Sequence, residues 1–213
     1  MATKIIYFVR HGQTENNALN VKQGAEGHLS EKGRAQALAT AKRFPKEKGR
    51  PQIIISSPYE RTKETAEIIA KELHLKIKYT PLLMERRNPS EVIGRWGGDP
   101  EVRNIMDHMD RTYHKDDMRI SDEENFIDLK KRAKKLLSYI KWRRQKRIIM
   151  VTHSNFLKMV ASYMLYGDKL TAIEYAKLSF FNPIHNAGMA ICTYTSHWFR
   201  KDEWKVLVWN DLD

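Results

Sequence analysis

The stretch Ile5-Ile6-Tyr7-Phe8-Val9-Arg10-His11-Gly12 decides the reading of this chain, because an apolar run ends abruptly on a cation, an imidazole and a glycine. An unbroken apolar run suits a strand covered on both faces, as in a parallel sheet with helices above and below. The residues after such a strand stand at its carboxyl end, which is where open α/β sheets bind ligands. Two further runs, Ile53–Ile55 and Ile148–Val151, have the same character, and each precedes a helix-like segment. Repeated β–α units of this kind predict a largely parallel sheet.

Working outward, Ser30-Glu31-Lys32-Gly33 opens a helix predicted to reach about Phe44, where Pro45 stops it. Ser57-Pro58-Tyr59-Glu60 supplies the serine, first-turn proline and third-position glutamate of a helix start, for a helix running to Leu73. Thr152-His153-Ser154 leads into a helix near Asn155–Tyr166, while Gly188–Thr195 and Glu203–Trp209 alternate as further strands. The segment from about residue 86 to 122 is charged and rich in glycine and proline. It is expected to be an insertion or lid over one sheet edge, with a short helix from about Glu101 to Arg111. No linker divides the chain, so residues 1–213 are expected to form one domain.

The 213 residues are 41% hydrophobic and 30% charged, the balance of a water-soluble globular chain, and no apolar run approaches the ~20 residues of a membrane span. The amino terminus lacks the shape of a signal peptide, and the single Cys192 has no partner for an internal disulfide; both favour a cytoplasmic setting. The net charge of +12 is concentrated between Lys130 and Arg147, which hold ten lysines and arginines. Within and just before that stretch Phe126, Leu129, Ala133, Leu136, Leu137 and Ile140 recur at helical spacing, so the basic side chains are expected on the wet face of an amphipathic helix. No nucleic-acid-binding motif accompanies the charge, which makes nucleic acid an improbable partner despite the basic balance.

The polar residues that follow the three strands share one theme. The first delivers Arg10, His11, Gly12, Thr14 and Asn17; the second Ser57 and, a helical turn on, Arg61; the third His153 and Ser154. In a parallel sheet these groups gather on one edge, and two arginines with two histidines there make a pocket for a compact dianion. Singly, Arg10 or Arg61 reads as a surface charge and either histidine as an ordinary, partly buried one. Only their conjunction points to phosphate.

These residues resemble the signature motifs of the histidine phosphatase superfamily, which includes cofactor-dependent phosphoglycerate mutases and many phosphomonoesterases. Arg10-His11-Gly12-Gln13-Thr14-Glu15-Asn16-Asn17 is similar to that family's Arg-His-Gly-x-Thr-x-x-Asn, and Leu29-Ser30-Glu31-Lys32-Gly33-Arg34-Ala35-Gln36-Ala37 to its second segment. Ser56-Ser57-Pro58-Tyr59-Glu60-Arg61, Leu83-Met84-Glu85 and Val151-Thr152-His153-Ser154 resemble the arginine, acid and second-histidine motifs, in the same order. The resemblance implies a three-layer α/β sandwich of the phosphoglycerate mutase type and metal-independent chemistry without a cofactor. It further implies that His11 is the nucleophile, Glu85 the proton donor, and His153, Arg10, Arg61, Asn17 and Ser154 phosphate ligands. Thr14, Gln23, Gly24, Arg86 and Arg87 are then expected to face a small phosphate ester.

The chain also departs from the family pattern. Ser154-Asn155 stands where the family has glycines after the second histidine, Glu64 replaces a glutamine, and Gly94-Arg95-Trp96-Gly97-Gly98 lies unusually far from Glu85. Arg86, Arg87, Asn88 and Arg95 thus fall in an altered substrate-facing region, and Glu91 and Glu124 compete with Glu85 as the acid. Gly12-Gln13-Thr14, where mutases usually carry Gly-Glu-Ser, favours a phosphatase over a mutase. A non-catalytic phosphate or nucleic-acid binder is the reading from another class. A cysteine phosphatase is excluded because Trp198 stands where an arginine would follow Cys192. A phosphate-binding Gly-x-x-x-x-Gly-Lys loop is absent. His108 and His114 form the only other close histidine pair, with nothing nearby to complete a zinc set.

Overall fold

Val9 pairs with Val151 and Ser56 with Val151, so three parallel strands end level with one another. The computed structural model describes residues 2–45, 47, 49–112, 115, 117–181, 183–199 and 201–212; His114 of the expected histidine pair lies outside them. Six strands, β1 (Ala2–Arg10), β2 (Ile53–Ser56), β3 (Ile77–Tyr79), β4 (Arg147–Thr152), β5 (Met189–Ser196) and β6 (Glu203–Asp211), form one sheet in the order β3-β2-β4-β1-β5-β6. The first four are mutually parallel, and β5 joins β1 antiparallel, as β6 joins β5. The sheet is thus mixed and mostly parallel, flanked by helices.

Alternation along the central strands explains the two layers. Ile6, Phe8, Ile53, Ile55, Ile148 and Met150 pack with α5 (Phe126–Lys141) and α6 (Ser154–Tyr166) in one cluster. Val9, Ile54, Ile149 and Val151 point the other way, onto α2 (Glu31–Lys42) and α3 (Glu60–Leu73). A period of two with both phases apolar is what a doubly covered strand requires. All six apolar positions expected on α5 are buried, and Lys131, Lys134 and Lys135 are exposed. Among the described residues no helix is long and apolar enough to cross a membrane.

Several local expectations are corrected. The serine of Ser57-Pro58-Tyr59-Glu60 does not cap α3: the cap position is Tyr59, without a side-chain hydrogen bond, and the helix begins at Glu60. Arg132 is not on the wet face of α5, since its side chain is only 14% exposed. Three elements carried no clear sequence signal: the edge strand β3, the four-residue α1 (Glu15–Ala18), and α7 (Ala172–Phe181). In the 86–122 segment the expected short helix is α4 (Pro100–Thr112). Just before it, Lys22 and Gly97 donate backbone hydrogen bonds to Arg95 and Asn20, tying this segment to the loop after α1.

The loop leaving β1 is held by close backbone contact with the start of α2. A methyl group on Gly12 would overlap the Gly33 carbonyl oxygen, and one on Gly33 would overlap that of Gln13. Ser30 caps α2 by accepting from the Gly33 amide at 3.1 Å, and its hydroxyl donates to the Gln13 carbonyl at 3.2 Å. Gly33→Ala gains up to ~1 kcal/mol of helix propensity. Overlap with fixed backbone typically costs ~1–3 kcal/mol, and here the obstacle is a carbonyl with little room to yield. A net loss of at least ~1 kcal/mol is expected in urea unfolding, whereas Lys32→Ala, at an exposed neighbour, is expected to stay within about 0.5 kcal/mol of wild type.

Candidate active site

The strand ends meet through the last rungs of the parallel ladder. His11 donates its amide to Thr152 at 3.0 Å, Ser57 to Val151 at 3.0 Å, and Thr80 to Ser56 at 2.9 Å. His11, Ser57 and His153 are therefore side by side, and each is buried, at 4%, 0% and 0% exposure. The two imidazoles meet edge to face with ring centroids 5.2 Å apart, and Tyr59 packs against the far side of His153 at the same separation.

A hydrogen bond fixes the tautomer of His11. His11 Nδ1 is 2.7 Å from the Gly12 carbonyl oxygen, which only accepts, so Nδ1 carries the proton and Nε2 the lone pair. Among the described residues that Nε2 has no hydrogen-bond partner. His153 Nε2 lies 2.9 Å from the Ser57 hydroxyl, which also accepts from the Tyr59 amide and has a proton to give and a lone pair to spare for the ring. Burial, then the nearby Arg61 guanidinium, holds both imidazoles well below the ordinary histidine value, so both are neutral at neutral pH.

Around them stand two cations, Arg61 buried and Arg10 half-buried. Arg61 is 2% exposed; burial lowers its guanidinium to about 10, so it stays charged at neutral pH. It donates from Nη1 to the Gly24 carbonyl at 2.8 Å, and Arg10 donates from Nη1 to the Ile184 carbonyl at 2.6 Å. Both interactions use one edge of the fork only. Arg10 Nε, Arg61 Nε and His153 Nδ1 are buried with no hydrogen-bond partner among the described residues. Buried polar atoms are almost always satisfied, so the unpartnered Nε donors of two guanidiniums at this edge suit an acceptor-rich group.

Glu85 reaches this edge from the turn after β3. Its carboxylate accepts from the Phe156 amide at 2.9 Å and the Asn155 amide at 3.2 Å, at the start of α6. Those amides, next to Ser154, are therefore engaged by Glu85; Ser154 itself is the first residue of α6. The Asn17 carbonyl oxygen accepts from the Thr14 amide and from Asn186 Nδ2, each at 3.3 Å, which leaves its amide nitrogen for other partners. Asn186, which also donates to the His11 carbonyl at 3.2 Å, was not anticipated: it follows α7 in a segment without periodic signal.

A cavity of about 210 Å³ adjoins the site, lined by Gln23, Gly24, Tyr59, Glu85, Arg86 and Arg87 together with part of the 88–93 turn and Asp122. Of the expected substrate-facing residues, Thr14 does not line it: it is fully buried, donating to Gln23 Oε1 at 3.0 Å and closing the capping box of α1 with Asn17. Arg95 is also turned away, paired with Asp99 and Glu101. Among the three candidate acids Glu85 alone lines the cavity. Glu124 is paired with Arg132, and Glu91 accepts from the Ser121 hydroxyl at 2.7 Å. Glu64 links α3 to the loop before α2, accepting from the Leu29 amide and from Arg34, with His28 at 2.6 Å. Cys192 is buried in β5 with its thiol pushed up to about 12, far from nucleophile behaviour.

Comparison with known proteins agrees with this arrangement. The chain is 34% identical over 161 residues to a metal-independent phosphoserine phosphatase of Arabidopsis thaliana, a match covering 73% of this chain and 66% of that one, just under two thirds of its length. It is 32% identical to a probable phosphoglycerate mutase GpmB of Escherichia fergusonii, over 75% of this chain and 74% of the relative. A mycobacterial glucosyl-3-phosphoglycerate phosphatase, solved with VO3, shares the fold with a TM-score of 0.76 at 22% identity, covering 98% of this chain and 99% of that one. A mutant phosphoserine phosphatase of Entamoeba histolytica, in complex with phosphoserine, aligns with a TM-score of 0.68 at 24% identity over 97% of this chain and 96% of that one. The family model for the histidine phosphatase superfamily (branch 1) matches residues 6–212, and the chain belongs to that family.

Proposed function

We propose that this protein is a metal-independent phosphomonoester hydrolase acting through a phosphorylated His11. The observation that carries the reading is the neutral, Nδ1-protonated imidazole of His11 together with the unpartnered Nε donors of Arg10 and Arg61 and the unpartnered Nδ1 of His153. A phosphoryl group placed there would accept from both guanidiniums. The guanidiniums would neutralise charge on its oxygens in the transition state.

In this mechanism His11 Nε2 attacks phosphorus as the ester P–O bond breaks, and Glu85, protonated at the start of the cycle, gives its proton to the leaving alkoxide. Water then attacks the phosphohistidine, Glu85 takes the proton from that water, and the P–N bond breaks to release inorganic phosphate. The Gly12 carbonyl keeps the Nδ1 proton in place throughout. The cavity beside Glu85 is small and carries Arg86 and Arg87, which supports a compact anionic ester as substrate; the named activities of the phosphoserine and glucosyl-3-phosphoglycerate phosphatases agree with that size and charge.

A phosphoglycerate mutase is the second reading, favoured by the similarity to GpmB. It differs only in the acceptor, a second hydroxyl in place of water. Gln13-Thr14 after the glycine supports the hydrolase.

The direct test is phosphate release from a panel of small esters in the presence of chelator. Wild type is expected to release phosphate and His11→Ala to match the buffer control, with alkali-quenched wild type carrying an acid-labile, alkali-stable phosphoryl label. Glu85→Gln is expected to lose ~10²–10⁴-fold on alkyl esters. Movement of phosphate between positions of phosphoglycerate without release would establish the mutase instead; no turnover and no label would sink both.

The buried neutral histidines also set a pH dependence. Below about pH 6.5, the ordinary histidine value, the unfolded chain takes up protons that folded His11 and His153 refuse. Their share of stability is intact above that pH and is lost as pH falls toward their depressed folded values. The midpoint of thermal unfolding in phosphate-free buffer is expected to fall between pH 7 and pH 5, less steeply in His153→Asn.

A further inference from the structure

Arg132 was expected among the solvated basic residues of α5, yet it is buried beside the active site with Glu124, at 14% and 19% exposure. Its Nε and Nη2 meet the two Glu124 oxygens at 2.9 and 2.6 Å, the bidentate geometry that a guanidinium favours. The remaining donors face the chain that carries Glu85: Nη1 donates to the Met84 carbonyl at 2.5 Å and Nη2 to the Glu85 carbonyl at 3.2 Å. Thr152 fixes the preceding Leu83 carbonyl from the end of β4 at 2.8 Å. Above, the guanidinium lies 4.0 Å over the ring of Phe156, the residue whose amide holds the Glu85 carboxylate. Glu124 in turn accepts from the Arg87 amide at 3.1 Å and donates its own amide to the Arg87 carbonyl at 3.0 Å.

We propose that Arg132 is a positioning residue for the proton donor: it clamps the backbone at Met84 and Glu85 on one side and Phe156 on the other, and Glu124 orients the clamp. The proposal rests on the hydrolase reading above and adds to it the device that aims Glu85. Such a device matters because the donor must meet the leaving oxygen within hydrogen-bond reach, and a misplacement of about 1 Å costs ~10²-fold in rate. A lysine cannot replace the fork, having a single charged point on a flexible stem where four acceptors must be met at once.

Leaving-group dependence separates aiming the acid from mere structural support. p-Nitrophenyl phosphate expels a leaving group that needs no proton, whereas an alkyl phosphate does need one. Wild type, E85Q, R132M, R132K and the double variant R132M/E124Q are compared on p-nitrophenyl phosphate and on the alkyl phosphate that wild type turns over fastest. The double variant removes both buried charges together, so it avoids an unpaired carboxylate if R132M alone folds poorly. R132M, R132K and the double variant are expected to lose ~10²-fold on the alkyl ester in kcat/KM, which reports formation of the phosphohistidine and not its hydrolysis, while staying close to wild type on the aryl ester. E85Q is expected to show the same selectivity.

An equal loss of kcat/KM on both esters by the double variant would show a structural role and overturn the proposal. Unaltered rates on both esters would overturn it too. Loss of selectivity in R132M with E85Q still selective would fail the positioning role alone. Failure of wild type to release phosphate from either ester would fail the hydrolase reading, and the positioning role with it.

Discussion

Everything at this site depends on keeping positive charge out of water next to groups that must stay neutral. Arg61 is buried and Arg10 half-buried at the edge of a parallel sheet, and among the described residues neither forms an ion pair with a carboxylate. Isolated buried charges are costly, and protein carbonyls relieve only part of that cost. The same field keeps His11 and His153 unprotonated, because a further cation there would meet two guanidiniums at close range. On the proposed reading a phosphate dianion would satisfy this excess of donors, and affinity for it would follow from how the sheet is built.

That excess is made by topology. Parallel pairing of β1 with β4 and of β4 with β2 puts His11, His153 and Ser57 on adjacent strand ends, although about two thirds of the chain separates the first from the second. The loop after β1 approaches α2 so closely that Gly12 and Gly33 leave no room for a side chain. His11 is thereby held through backbone contacts, its amide donating to Thr152 and its ring to the Gly12 carbonyl. The overall charge of +12 is a separate matter: much of it sits on exposed lysines of α5, while the cations that shape the pocket are the buried ones.

The central strands and the apolar stripe of α5 were legible in the sequence because both faces of each strand, and one face of the helix, are solvent-free and so must be apolar. Edge strand β3 is short and half-exposed, so packing imposes no pattern on Ile77–Tyr79. Ser57 looked like a helix cap because serine, proline and glutamate at those offsets usually are one; here the hydroxyl is drawn to His153 by a strand that lies far away in sequence. Arg132 was misplaced for a related reason. It sits beside Leu129 and Ala133 at the border of the apolar stripe, and composition cannot tell a bordering arginine that points to water from one that meets a buried carboxylate. Site residues on strand ends could be read from the sequence; those that act across space, such as Asn186 and Arg132, carried no local mark.

The departures from the family pattern fall in more than one place: Ser154-Asn155 follows His153 at the strand-end edge, while the unusual segment of residues 86–98 borders the adjoining cavity. Glu85 links the two, since its carboxylate is tied to α6 and its backbone continues into Arg86 and Arg87. A change in the rim would therefore disturb the acid unless something isolates them. The Arg132–Glu124 pair occupies that position: it fastens Met84 and Glu85 from the α5 side and meets the rim only at Arg87. On the reading proposed here, the rim is free to suit its ester because the aim of the proton donor is set from below by a buried ion pair.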